Sequence, residues 1–230
     1  MIICDYRASK EAIRALEQFG EVILFNSSLL ANSPLCGHPD LFICQTPISL
    51  IVAPNTDLKI LEKLNQLNSP IIFGENPVEV SHPEIARYNA VVTNKVTICN
   101  VQTVDQRILD LSKNNEIIDV KQSYCRCSTL ALSDDSFITS DAKTHFKLLE
   151  KNHKSLLVSP QSVSLEGYNH GLFGGCGGVL LSEQKVFFMG SLSSIPNQQE
   201  IYEFIAKSGL ECVELPAETL QDVGGLLFIA

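Results

Sequence analysis

The sequence predicts an α/β fold made of five copies of a strand–strand–helix–strand unit, set in a pseudo-fivefold ring and closed by pairing of the N- and C-terminal strands. Three observations carry this. The unit is legible in full at residues 174–215, and it recurs along the chain. The first copy also lacks its opening strand, while the last strand lacks a partner.

The fullest copy opens with a glycine-rich approach, Gly174, Gly175, Cys176, Gly177 and Gly178, into an apolar run. A polar turn at residues 182–185 and a second run rich in branched and aromatic side chains complete a β-hairpin. Asn197 with Glu200 three places on is a helix start, since both side chains can satisfy orphan backbone N–H groups. Ile201, Phe204, Ile205 and Ser208 mark one helical face, Gly209 supplies a left-handed stop, and residues 212–215 form the third strand.

In chain order, residues 2–4 are a strand. Ser9 caps a helix with Ala12, Ile13, Leu16 and Phe19 on one face, and residues 22–25 are the next strand. The second copy places strands at 41–44 and 50–53, a helical stripe of Leu58, Leu61, Leu64 and Leu67, and a strand at 71–73. The third has strands at 90–92 and 96–99, a helix opened by Thr103 and Gln106 in capping-box spacing, and a strand at 117–120. The fourth has strands at 129–132 and 137–139, a helix with Ala142, Phe146 and Leu149 inward, and a strand at 156–158. Residues 222–230 remain as a glycine approach and one strand. Pairing it with the first strand completes five copies of about 40 to 50 residues and removes exposed edges. Residues 1–230 therefore form one domain. The longest connections, 26–40 and 160–177, are where binding loops are expected.

A net charge of −9 with no basic run argues against a nucleic-acid partner. No apolar stretch approaches the roughly 18 to 20 residues that span a bilayer. The N-terminus meets charge too early for a signal peptide, which points to no membrane partner and a cytoplasmic location. There the eight cysteines are expected as thiols or ligands rather than disulfides. The expected partner is a small-molecule ligand, with no resident cofactor.

In each hairpin the start of strand one and the end of strand two lie at the same end, so five such ends converge. They collect Cys36, His38, Asp40, Cys125, Arg126, Cys127, His170, Cys176 and Asp222, with Asp5 and Arg7. A thiol beside an imidazole suits nucleophilic chemistry, with Cys176 or Cys127 as nucleophile and His38 as its partner. Asp40 and Asp222, with His170 and Arg126, are substrate-binding candidates, the carboxylates receiving a cationic end by paired hydrogen bonds. Each has a plainer reading: Cys176 as tight packing, His38, Asp40 and Asp222 as turn residues, and Asp5 paired with Arg7. Cys125 and Cys127 share a face if extended. A metal set of Cys36, His38, Cys127 and Cys176 is a third possibility. Cys4, Cys44, Cys99 and Cys212 read as small buried hydrophobes and His145 and His153 as surface residues.

Five such units with a closing strand at residues 222–229 resemble the pentein fold, a five-bladed α/β propeller, of the guanidino-group-modifying enzymes. These include dimethylarginine dimethylaminohydrolase, arginine deiminase and the amidinotransferases. Gly37-His-Pro-Asp40, Cys-Ser-Thr at 127–129 and Phe173-Gly-Gly resemble a bacterial branch of that superfamily. The resemblance implies a cysteine-dependent hydrolase or transferase acting on a small guanidino, amidino or amino-acid-like substrate. The family's cysteine attacks the guanidinium carbon from just before the closing strand, and its histidine shuttles protons. Those positions fall at about Gly224 or Gly225 and near Gln122, so the usual catalytic pair is absent and the thiol site is relocated. The alternative is a binding module that kept the fold and lost the chemistry.

Overall fold

The computed structural model describes residues 1–67 and 69–229, and the last position of the expected closing strand, Ala230, lies outside them. The first unit consists of β1 (Ile2–Asp5), α1 (Lys10–Leu16) and β2 (Val22–Phe25). Ser9 caps α1 as expected, its hydroxyl accepting from the Ala12 N–H at 3.0 Å. The second unit is β3 (Ile43–Gln45), β4 (Leu50–Val52), α2 (Leu58–Leu64) and β5 (Ile71–Phe73). The third is β6 (Val91–Val92), β7 (Val96–Cys99), α3 (Gln106–Leu111) and β8 (Glu116–Asp119). A one-turn helix, α4 (Cys125–Ser128), leads into the fourth: β9 (Thr129–Ala131), β10 (Ser136–Thr139), α5 (Ala142–Glu150) and β11 (Lys154–Leu157). The fifth is β12 (Gly177–Leu180), β13 (Lys185–Met189), α6 (Gln198–Lys207) and β14 (Glu211–Leu215), and β15 (Leu227–Phe228) follows.

Each unit forms its own three-stranded sheet, with the hairpin antiparallel and the strand after the helix parallel. The terminal strands pair as expected: β15 runs antiparallel to β1, with Ile2 opposite Phe228 and Ile3 opposite Leu227. The N-terminal ammonium and the Ile229 N–H extend this join. Among the described residues no sheet closes on itself, and the ladders stay five separate sheets. The lead strands β3, β6, β9, β12 and β15 touch in succession, and Gln45 Nε2 donates to Phe228 O, linking β3 to β15. Phe187 packs between Phe19 and Phe228, each with ring centroids 4.9 Å away, so the core continues from the fifth sheet into the first.

Several local expectations are corrected. In α2 the buried side chains are Ile60 and Leu64, while Leu58 is 75% exposed. In α5 Thr144 and Leu148 face the sheet, and Phe146 and Leu149 face solvent. Thr144 and Leu148 stack one turn apart, and the Asp141 cap, accepting from the Thr144 N–H at 2.6 Å, sets that stripe against the sheet. Asp105, not Thr103, caps α3. It is buried, and besides the Arg107 N–H it accepts from the N–H groups of Glu75 and Asn76, which ties two units together. Leu41, expected to open a strand, closes a 3₁₀ turn at Pro39–Leu41, and the strand begins at Ile43. His153 is not a free surface residue: it lies between Asp135 at 2.7 Å and Glu116 at 3.1 Å.

Candidate functional site

The loop 26–40 delivers His38 and Asp40 to the lead-in of β3. On α4, Cys127 stands at the same place in the fourth unit, and Asp222 stands ahead of β15. These four side chains meet and all are buried. Cys127 Sγ donates to Asp40 Oδ2 at 2.9 Å. One nitrogen of His38, Cys127 Sγ and one Asp222 oxygen lie within 4.8 Å of one another, with His38 Nδ1 3.9 Å from Asp222 Oδ1. Asp222 is held by the N–H groups of Leu172 at 2.8 Å and Gly224 at 3.1 Å. A Cβ on Gly175 would stand 1.9 Å from Asp222 Oδ1, so the Phe173-Gly-Gly motif is the space this carboxylate needs.

Among the described residues, neither ring nitrogen of His38 nor Asp40 Oδ1 has a hydrogen-bond partner despite burial. Buried polar atoms are normally paired, and leaving them unpaired costs about 1–3 kcal/mol each. Burial pushes Asp40 up to about 6, an effect opposed by His38 and Arg126. Burial, reinforced by Asp40 and Asp222, also holds Cys127 well above the ordinary thiol range, so it rests as a protonated thiol.

The other candidates are placed differently. Cys176 is buried with its thiol directed to Leu172 O at 3.5 Å, and burial raises its pKa as well. His170 is exposed and donates to Gly171 O. Arg126 Nη1 and Nη2 donate to Gly174 O and Gly177 O. Cys125 and Cys127 do not share an extended face. The helical turn sends Cys125 to Gln122 O and Cys127 to Asp40. Cys36 meets Tyr6 at 3.6 Å, so of the expected metal set only His38 and Cys127 come together, with Asp222 as the third donor. All eight cysteines are free; Cys4, Cys44 and Cys99 are buried as expected, whereas Cys212 is half-exposed. Arg7 pairs with Asp5 through Nε and Nη2.

Asn89 was not among the sequence candidates. It donates to Cys127 Sγ at 3.2 Å and to Asp40 O, and its Oδ1 accepts from the Cys127 N–H at 3.0 Å. It stands just ahead of β6, the position in the third unit that Cys127 holds in the fourth, and that equivalence was the available signal.

Two cavities bear on the candidate residues. A smaller one of about 170 Å³, lined by Asp5, Arg7, Glu166 and Gln221, reaches Asp222. The larger, about 400 Å³, lies at the hairpin-turn end and meets the candidates only at Arg126. At the converging ends Gly224 and Gly225 pack onto His38 and Arg126.

Comparison with known proteins follows from this geometry. Residues 3–227 match the family model described as a family of unknown function (DUF6873). The chain belongs to that family. No curated protein matches this DUF6873 member. Among solved structures it is similar to dimethylarginine dimethylaminohydrolase in three forms. A histidine-to-glycine variant, an adduct with S-methyl-L-thiocitrulline, is 14% identical with TM-score 0.54. The Pseudomonas aeruginosa enzyme, a cysteine-to-serine variant complexed with citrulline, is 13% identical with TM-score 0.53. An adduct with 4-chloro-2-hydroxymethylpyridine is 15% identical with TM-score 0.52. Each alignment covers 93% of this chain and 91% of the other. At these identities the likeness shows a pentein-like mixed α/β fold of five small sheets. No helix among the described residues is long and apolar enough to cross a membrane.

Proposed function

We propose that this chain is a single-domain, five-bladed α/β propeller enzyme that cleaves a C–N bond of a small guanidino or amidino compound. Its lead strands face a common axis, and the reacting centre is the His38–Asp40–Cys127–Asp222 cluster. The observation that carries this is His38, buried beside a thiol and two carboxylates with neither ring nitrogen satisfied. The dimethylarginine dimethylaminohydrolase fold supports the substrate class.

In the proposed reaction Cys127 Sγ adds to the amidinium carbon as its proton passes to Asp40 Oδ2. A carboxylate pushed up to about 6 accepts that proton more readily than an ordinary aspartate. The C–N bond breaks as the leaving nitrogen takes a proton from the His38 ring. Water then adds to the thiouronium carbon and returns a proton to His38, and the C–S bond breaks as Asp40 returns its proton to sulfur. Asp222 pairs with the cationic end, and Asn89 holds Cys127 in place.

The test is release of amine, ammonia or a ureido product from a panel of alkylguanidines and amidines, with 2-chloroacetamidine as a trap located by peptide mass mapping. Turnover together with an adduct on Cys127 supports the reading. Calorimetric binding without turnover or adduct identifies a binding module instead.

One observation favours a second reading of the same cluster. His38, Cys127 and Asp222 form a buried donor set suited to a zinc-class cation, although 4.8 Å between donors requires some contraction. Stoichiometric metal in the purified protein, lost in His38→Ala and Asp222→Ala, would make Cys127 a ligand rather than a nucleophile.

A further inference from the structure

The cavity of about 400 Å³ at the hairpin-turn end is separate from the cluster, and from its lining we infer that it binds a small monocarboxylate with a compact apolar body. Its volume lies within the roughly 300 to 1,000 Å³ of small-molecule sites. Every lead strand of the five sheets contributes to its wall: Ile43, Val92, Leu130, Val179 and Leu227 all line it.

Arg126 is the one cation among the lining residues. Its guanidinium donates to two neutral carbonyls, Gly174 O at 2.6 Å and Gly177 O at 2.8 Å, and forms no ion pair among the described residues. A guanidinium carries five N–H donors, so these two bonds fix its plane and leave donors for an anion. Gly225 gives it room: a Cβ there would stand 2.7 Å from Nη2. The acid at the rim, Asp134, is already engaged, accepting from the Asn94 backbone and side-chain N–H groups at 2.9 to 3.2 Å. The walls combine apolar side chains with the neutral Gln45, Thr46, Thr93, Asn94 and Ser133, and one cation among them matches one carboxylate. A polyphosphate would bury charge without a partner.

The inference does not rest on the proposed reaction, and its readouts do not involve turnover. The intact protein is titrated with octanoate, octanol and octylamine, following binding by calorimetry and ligand-observed NMR. Octanoate is expected to bind about tenfold more tightly than either analogue. Ala131→Trp, which adds a large side chain to the lining, is expected to abolish binding in protein shown by circular dichroism to be folded. Arg126→Lys, which loses the planar fork, is expected to weaken octanoate about tenfold and leave octanol unaffected. Equal binding of octanol and octanoate, no binding of octanoate up to its solubility limit, or binding that survives in folded Ala131→Trp would each overturn the inference. Should Arg126→Lys fail to fold, the analogue series and Ala131→Trp still decide it.

Discussion

Cys127 Sγ donates to Asp40 Oδ2 across 2.9 Å, joining side chains 87 positions apart in the chain. The contact gives the thiol a proton acceptor within reach; Cys176 meets only a main-chain carbonyl. Cys127→Ser is therefore expected to lower kcat by roughly a thousandfold or more on any guanidino compound the protein turns over. Cys176→Ser should stay within a few-fold of wild type. Steady-state kinetics on the two variants, with circular dichroism as the folding control, separates them.

The carboxyl of Asp40 also predicts a pH dependence of stability. It titrates near 3.8 when unfolded and near 6 when folded, so between these values the native state holds more protons. Its stabilising contribution is complete below about pH 4 and is lost as the pH rises through 6. The full effect is of order 3 kcal/mol. Asp40→Asn removes the titration, so relative to wild type the variant should gain stability from pH 4 to 7. Urea unfolding across that range measures the difference.

Gly224 has φ +65°, and a Cβ there would fall 2.5 Å from the backbone and side chain of His38. Gly224→Ala is expected to cost about 3 kcal/mol or more, because left-handed strain and overpacking act together. Gly209 has a similar φ of +77° but nothing within 4 Å of its missing Cβ. Gly209→Ala should cost only about 1 kcal/mol. The two thermal midpoints compare strain with strain plus collision.

On α5, Leu148 is fully buried while Phe146 is 59% exposed. Leu148→Ala is expected to cost about 2–5 kcal/mol, whereas the larger deletion Phe146→Ala should stay within about 1 kcal/mol. Denaturant midpoints would show the order reversed if the apolar stripe of the sequence were the buried one.

Most of the architecture was readable beforehand because it is local. Val22 to Phe25 and Val96 to Cys99 are strands by composition. Ser9 caps a helix through a bond three residues long, and Gly209 ends one by its φ. The helix faces were less readable. In α2 and α5 two stripes compete, and packing buries Ile60 and Leu64 in one and Thr144 and Leu148 in the other. The one-turn helix at Cys125 to Ser128 was equally hidden, since four residues carry no period.

The sequence by itself determined the repeating unit, the pairing of first and last strands, and the set of thiols, imidazoles and carboxylates ahead of the lead strands. Repetition of a short pattern is a property of neighbours in the chain. Which of those groups meet was decided only by tertiary structure. His38, Asp40, Cys127 and Asp222 converge while His170 stays in solvent and Cys176 faces a carbonyl, and Asn89 joins them unannounced. Contacts between residues 38 to 184 positions apart depend on how five sheets pack, and ångström-scale differences in that packing separate a hydrogen bond from no contact.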